Sequence, residues 1–274
     1  MIIKPGLYLK ELSLFGATLG LGIFSAYMSL VSPIPLIIPE LKFGWSDAIF
    51  LIILALFFIF FSKYQKVTRF SFKLFLVLIV FSGTNIVAST ALGPPWDIWV
   101  TLLVVAVFLF FKNVLVHNVG IILGVAGIGS LLGLAISPKT VAIAMVVLSF
   151  YDIIAVYVTG HMVKMARAMM DSGATFGFII PSRLSGFLFH KQEAQAQVGG
   201  QFMILGSGDV GLPVVLVGSL VRYSLSGAII VAVFSLVGLF ITHLIFVNQH
   251  ERKPMAALPP IATMSIVGYL ITLL

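Results

Sequence analysis

Two aspartates carry the chemistry this sequence can offer. Asp152 stands in Ser149-Phe150-Tyr151-Asp152, and Asp209 closes Gly206-Ser207-Gly208-Asp209, each deep inside an apolar run. The other seven acids (Glu11, Glu40, Asp47, Asp97, Asp171, Glu193 and Glu251) fall at run ends or in connections. A carboxylate at mid-bilayer costs about 2.5–3.5 kcal/mol even on a lenient insertion scale, so each buried acid marks a functional site. Two facing carboxylates in a low-dielectric site do not both ionise; they share one proton. One then acts as general base on a water, and the other as general acid on a carbonyl or a leaving amine. This is two-carboxylate amide hydrolysis. Inside a membrane it also needs a water path from the cytoplasmic side. Gly206, Gly208, Gly211 and Pro213 loosen the backbone beside Asp209, which can expose peptide groups to an extended substrate. A third element, Ala256-Ala257-Leu258-Pro259-Pro260, opens the last apolar run. Alone, its two prolines read as an ordinary helix N-terminus.

The elements that must position these acids are membrane spans. Of 274 residues 60% are hydrophobic and only 9% are charged, with a mean hydropathy of +1.17. Too few polar side chains exist to cover a water-facing surface, which excludes a soluble globular protein and a disordered one. There is no cysteine, which excludes a disulfide or zinc-finger framework. Apolar runs lie at 6–32, 47–62, 73–92, 97–112, 114–136, 139–163, 200–222, 225–247 and 255–273. They are continuous and do not alternate in strand-length units, so they predict helices and not a barrel. The expected fold is an all-α polytopic membrane protein with nine transmembrane helices. Residues 1–163 form a six-helix N-terminal bundle and 200–274 a three-helix C-terminal bundle. The 164–199 stretch is a cytoplasmic connection whose 174–189 part is apolar enough to lie in the interface.

Charge sets the orientation. With nine spans, 13 of the 16 Lys and Arg fall on the face that carries the N-terminus, and Lys42, Lys139 and Arg222 fall on the other. The positive-inside rule makes the first face cytoplasmic and puts the C-terminus outside. The net charge of +7 then reflects topology and contact with anionic lipid, not nucleic acid. On this map Asp152 and Asp209 both lie roughly 14–16 Å below the cytoplasmic surface, at about 1.5 Å per residue. Acids at equal depth on successive antiparallel helices can face each other.

Together the motifs resemble those of the GxGD intramembrane aspartyl proteases, the family of presenilin, signal peptide peptidase and their archaeal homologues. Tyr151-Asp152 lies in the sixth span, Gly206-to-Asp209 in the seventh, and a Pro-Ala-Leu-type motif at the ninth. The order, spacing and span numbers carry the resemblance over most of the chain. It implies that Asp152 and Asp209 are catalytic, that Tyr151, Gly206 and Gly208 shape the site, and that Ala257, Leu258 and Pro259 lie against it. Ala256 replaces the leading proline of the third motif. The cytoplasmic N-terminus matches the presenilin branch.

Other chemistries fit poorly. His250-Glu251 is followed by Arg252, Lys253 and Pro254, so the His-Glu-x-x-His zinc motif is absent. A Ser–His pair would need Ser130 or Ser207 to meet His243. Gly16/Gly20, Gly120/Gly124 and Gly129/Gly133 have the spacing of helix-packing pairs. The expected activity is cleavage of peptide bonds within transmembrane segments of other proteins. No metal, nucleotide or other cofactor is implied. Partners are transmembrane-helix substrates and membrane lipids, and further copies of the chain remain open. A substrate helix would unwind and pair as a strand with 164–199 or 252–258. The competing class is a proton- or cation-coupled transporter or leak, with the same two acids as a relay. The compact chain suggests a prokaryotic cell membrane.

Overall fold

The computed structural model describes residues 4–32, 65–160, 162, 163, 166, 169, 170, 173–196, 201–249 and 254–274. The expected 47–62 span lies outside these residues. In chain order the helices are α1 (Pro5–Val31), α2 (Gln65–Leu92), α3 (Trp96–Phe110), α4 (Val114–Ala135) and α5 (Pro138–Ile153). A π-helical turn, Ile154–Val158, continues α5. Then come strand β1 (Gly177–Pro181), a 3-10 turn (Leu184–Leu188), the short α6 (Lys191–Ala196) and strand β2 (Phe202–Gly206). Helices α7 (Ser207–Val221), α8 (Leu225–Val247) and α9 (Leu258–Ile271) complete the chain.

Five of these segments are long and apolar enough to cross a membrane, and α3, α7 and α9 are shorter apolar helices. Several start where a short polar side chain takes an otherwise orphaned N–H. Asn113 Oδ1 accepts from Val116 N at 2.8 Å, Ser137 Oγ from Thr140 N at 3.2 Å, and Ser224 Oγ from Gly227 N at 3.0 Å.

The core sits around α7. Val210, Val214, Leu216 and Val217 are fully buried, wrapped by α1, α4 and α8. Glycine makes this close packing fit. A Cβ on Gly133 of α4 would stand 2.6 Å from the Val215 carbonyl oxygen, so a side chain there would push α4 off α7. Gly129 faces Val214, and Gly120 and Gly124 face Phe108 and Ile79, as helix-packing glycines should. Gly16 and Gly20 differ: no described atom lies within 4 Å of either Cβ position. The outer helices turn large apolar side chains outward, among them Trp99, Phe110, Val147 and Phe150. In water this would be a liability; against acyl chains it is the expected surface.

The chain departs from the apolar-run reading in two places. The 200–222 run is not one helix, because Phe202–Gly206 pair antiparallel with Gly177–Pro181. The 174–189 segment is not uniform along its length: its centre is strand β1, buried throughout. Apolar runs of four to eight residues look alike as strand or helix, and here the tertiary partner decides.

Candidate active site

Asp209 is the third residue of α7 and partly exposed. The hairpin puts it there. β2 runs without a loop into Ser207, and Ser207 N and Oγ both donate to Phe176 O at 3.3 Å, locking the junction of strand and helix. A Cβ on Gly206 would stand 2.9 Å from Asp209 Oδ2, so glycine here leaves the carboxylate its room. A carboxylate in the first turn also meets the positive end of the helix dipole. Pro213, four residues on, has no N–H to give the Asp209 carbonyl.

Asp152 reaches the site from the other side. It lies two residues before the π-helical turn and is 5% exposed. Its Oδ2 accepts a long hydrogen bond, 3.4 Å, from Leu258 N. That donor follows from the sequence. Pro259 and Pro260 have no N–H, so Leu258 offers the only backbone donor before Ile261 at the start of α9. α5 packs on α7 and α9, so the helices that carry Asp152 and Asp209 lie against each other.

The remaining expected site residues are placed as follows. Gly208 is exposed, with no heavy atom within 4 Å of its Cβ position, so it keeps open space beside Asp209. Ala257 precedes α9, and its carbonyl faces Thr242 Oγ1 at 3.5 Å. Leu258 is buried and touches the site through its amide. Pro259 is half-buried and accepts from Thr263 Oγ1. Tyr151 is 56% exposed, and no hydrogen bond ties it to either acid. Ala256 is buried.

Three polar residues that sequence reasoning did not single out support the hairpin. Asn118 Oδ1 accepts from Ile179 N at 2.9 Å, and its Nδ2 donates to Ile179 O at 2.7 Å. His117 Nε2 donates to Gly177 O at 3.0 Å. Lys10 Nζ donates to Pro181 O at 2.8 Å and Ser182 O at 2.7 Å. The adjacent Glu11 was grouped with acids at span ends, yet it is 1% exposed. Both its oxygens accept from His243 Nδ1 at 3.0 Å. That pairing answers the serine-protease alternative. His243 is held by Glu11, Ser130 Oγ donates to Gly127 O, and Ser207 Oγ to Phe176 O. The only available clue was polar residues clustered at the start of apolar runs.

Residues 35–274 match the family described as signal-peptide peptidase, presenilin aspartyl protease. That match covers most of the chain, and the chain belongs to that family. It is an intramembrane aspartyl protease. Two solved structures of a presenilin family intramembrane aspartate protease are similar in fold. The crystal in the C222 space group gives a TM-score of 0.60 at 22% identity, covering 96% of this chain and 95% of the other. The crystal in the P2 space group gives 0.60 at 23%, covering 94% and 95%. A search of curated proteins returned no match. Nothing found supports the transporter alternative.

Proposed function

We propose that Asp152 and Asp209 are the catalytic pair and that they hydrolyse peptide bonds within transmembrane segments of other membrane proteins. The observation that carries this is their placement on two helices packed against each other, at the end of α5 and in the first turn of α7. The ionised carboxylate takes a proton from water as its oxygen attacks the scissile carbonyl. The protonated one gives its proton to the carbonyl oxygen. Collapse of the tetrahedral diol transfers a proton to the leaving nitrogen, so one water and one amide become an acid and an amine. Gly206 and Gly208 keep space at Asp209, and the Leu258 amide orients Asp152. Pro259 keeps Leu258 as the donor, Ala257 sets the entry to α9, and Tyr151 borders the substrate side.

The hairpin supports a docking mode for an unwound substrate. β1 pairs with β2 on one edge and is filled by side chains on the other. Among the described residues the open edge is therefore that of β2, at 202–206. Among the described residues nothing pairs with the outward backbone groups of Ile204. β2 leads directly into Asp209, so a strand added at its edge brings its next peptide groups to the acids. Both acids come from one chain, so the chemistry needs no second copy. The 13-to-3 division of Lys and Arg supports a cytoplasmic N-terminus and an outside C-terminus in a prokaryotic cell membrane, with the rim cations on anionic lipid.

Purified protein in detergent, mixed with a labelled single-span substrate, tests this assignment. Wild type is expected to release fragments cut within the span, and Asp152→Ala and Asp209→Ala to release about a thousandfold less. Near wild-type yield from either variant overturns the pair.

A further inference from the structure

We propose that Asn118, assisted by Lys10 and His117, is a specificity-determining positioning residue that makes the hairpin a one-sided template and so fixes which substrate bond meets the acids. The inference rests on the reading that a substrate strand pairs with β2.

The register of the hairpin explains the idea. In an antiparallel pair, successive residues turn their N–H and C=O alternately towards the partner strand and away from it. Phe176 and Ser182 face β2, since Phe176 O accepts from Ser207 N and Ser182 N donates to Gln201 O. Gly177, Ile179 and Pro181 therefore face away from β2. Those are the three strand residues that side chains hold. His117 takes Gly177 O, Asn118 takes both N–H and O of Ile179, and Lys10 takes Pro181 O. Proline has no N–H to leave unpaired. The Asn118 amide, one acceptor and one donor on a single residue, does what the backbone of a third strand would do.

Two consequences follow. An exposed strand edge recruits any extended chain; with the β1 edge occupied, only β2 can recruit a substrate. The side chains also fix the hairpin along its own axis. A sheet slips by residues when nothing pins its register, and a slip of β1 against β2 would move β2 relative to Asp209. Ile179 is the central residue of β1 and is fully buried, as are His117 and Asn118 to within 2%. Its two bonds to a helix of the core tie the hairpin to α4, the helix packed most closely on α7. Asn118 touches no reacting atom; it acts through the strand pair.

The chain has no cysteine, so single cysteines report pairing directly. Ile204→Cys would be crosslinked by oxidation to substrates carrying one cysteine stepped along the span, and fragment ends would be sized in parallel by mass spectrometry on the enzyme with Ile204 intact. With Asn118 present, crosslinking is expected to peak at one substrate position and one bond to dominate the products. Asn118→Leu should lower that peak by at least about threefold, spread it to neighbouring positions and move cleavage to adjacent bonds. Asn118→Asp keeps the acceptor for Ile179 N–H and should spread it less. Ser235→Ala, which removes a buried hydroxyl bonded to Ser265 at 2.7 Å, is the control for lost stability alone. An unchanged peak and product pattern in both Asn118 variants overturns the inference while leaving strand pairing intact. Equal spreading in Ser235→Ala also overturns it, by reducing Asn118 to a stabilising contact. No peak even with Asn118 present overturns strand pairing itself, and this inference with it.

Discussion

The two halves of the proposed active site are built differently. Asp209 rests on the most enclosed of the described helices: from Pro213 to Val221 every residue of α7 is buried. The strand before it is tied to β1, and β1 is tied by side chains to α1 and α4. Asp152 sits on α5, where only Pro138, Val141, Ala142, Met145 and Asp152 itself are buried. Past Asp152 the helix changes to a π turn, with Tyr157 and Val158 exposed, and stops at Gly160 with φ +61°. One acid is anchored by the core; the other is held by its neighbours α7 and α9 and one long hydrogen bond. A protease that admits a helix needs both properties: a fixed reference for the bond to be cut, and a side of the site whose opening disturbs little packing. π turns inside α-helices commonly mark functional positions, and this one falls on the loosely packed half.

The largest effect separates neither half. Removing either carboxylate by Asp152→Ala or Asp209→Ala should lower kcat by about a thousandfold or more, and the double variant should be no worse, because the pair works as a unit. Additive losses, read as fragment yield, would mean that the acids act in separate steps.

The next effect should divide the halves by stability. Glu11→Ala leaves His243 buried without its acceptor and should cost about 1–3 kcal/mol, measured by thermal unfolding in detergent. Leu216→Ala on α7 should cost about 2–5 kcal/mol through its cavity. Val147→Ala on α5, 60% exposed to lipid, should stay within about 0.5 kcal/mol. Similar losses for Leu216 and Val147 would erase the contrast.

The smallest effect lies at Lys191, on the short helix α6. Burial, then the nearby Lys73 charge, pushes the Lys191 ammonium down to about 8. The unfolded chain keeps that proton up to the ordinary lysine value near 10.5. Between pH 8 and that value the unfolded state binds more protons, so stability should rise with pH. The slope should flatten in Lys191→Met, as thermal scans at pH 7, 8 and 9 would show.

The two halves were also unequally legible in the sequence. Asp152 and Asp209 stood out because a carboxylate in an apolar run has no inexpensive explanation. Eight expected spans correspond to described apolar segments for the same reason: lipid selects long apolar helices. The strand before Asp209 was hidden. Phe202–Gly206 joins a helical run without a break in hydropathy, and only Gly177–Pro181, over twenty residues earlier, makes it a strand. The supports of that strand were hidden too. Lys10 and Glu11 look like an interfacial pair, and His117 and Asn118 like polar residues at a span start; their partners are 60 or more residues away. The Leu258 amide shows the opposite case. Two prolines after it made an available donor legible, though not what would accept from it.

Hydrogen exchange by mass spectrometry on the intact protein in micelles tests the contrast most directly. Amides of 214–221, and the β1-facing amides of Met203 and Leu205, should exchange at least about tenfold more slowly than those of 152–158. Equal protection across these sets, or faster exchange at Met203 and Leu205, would contradict a site made of one anchored acid and one loosely held acid.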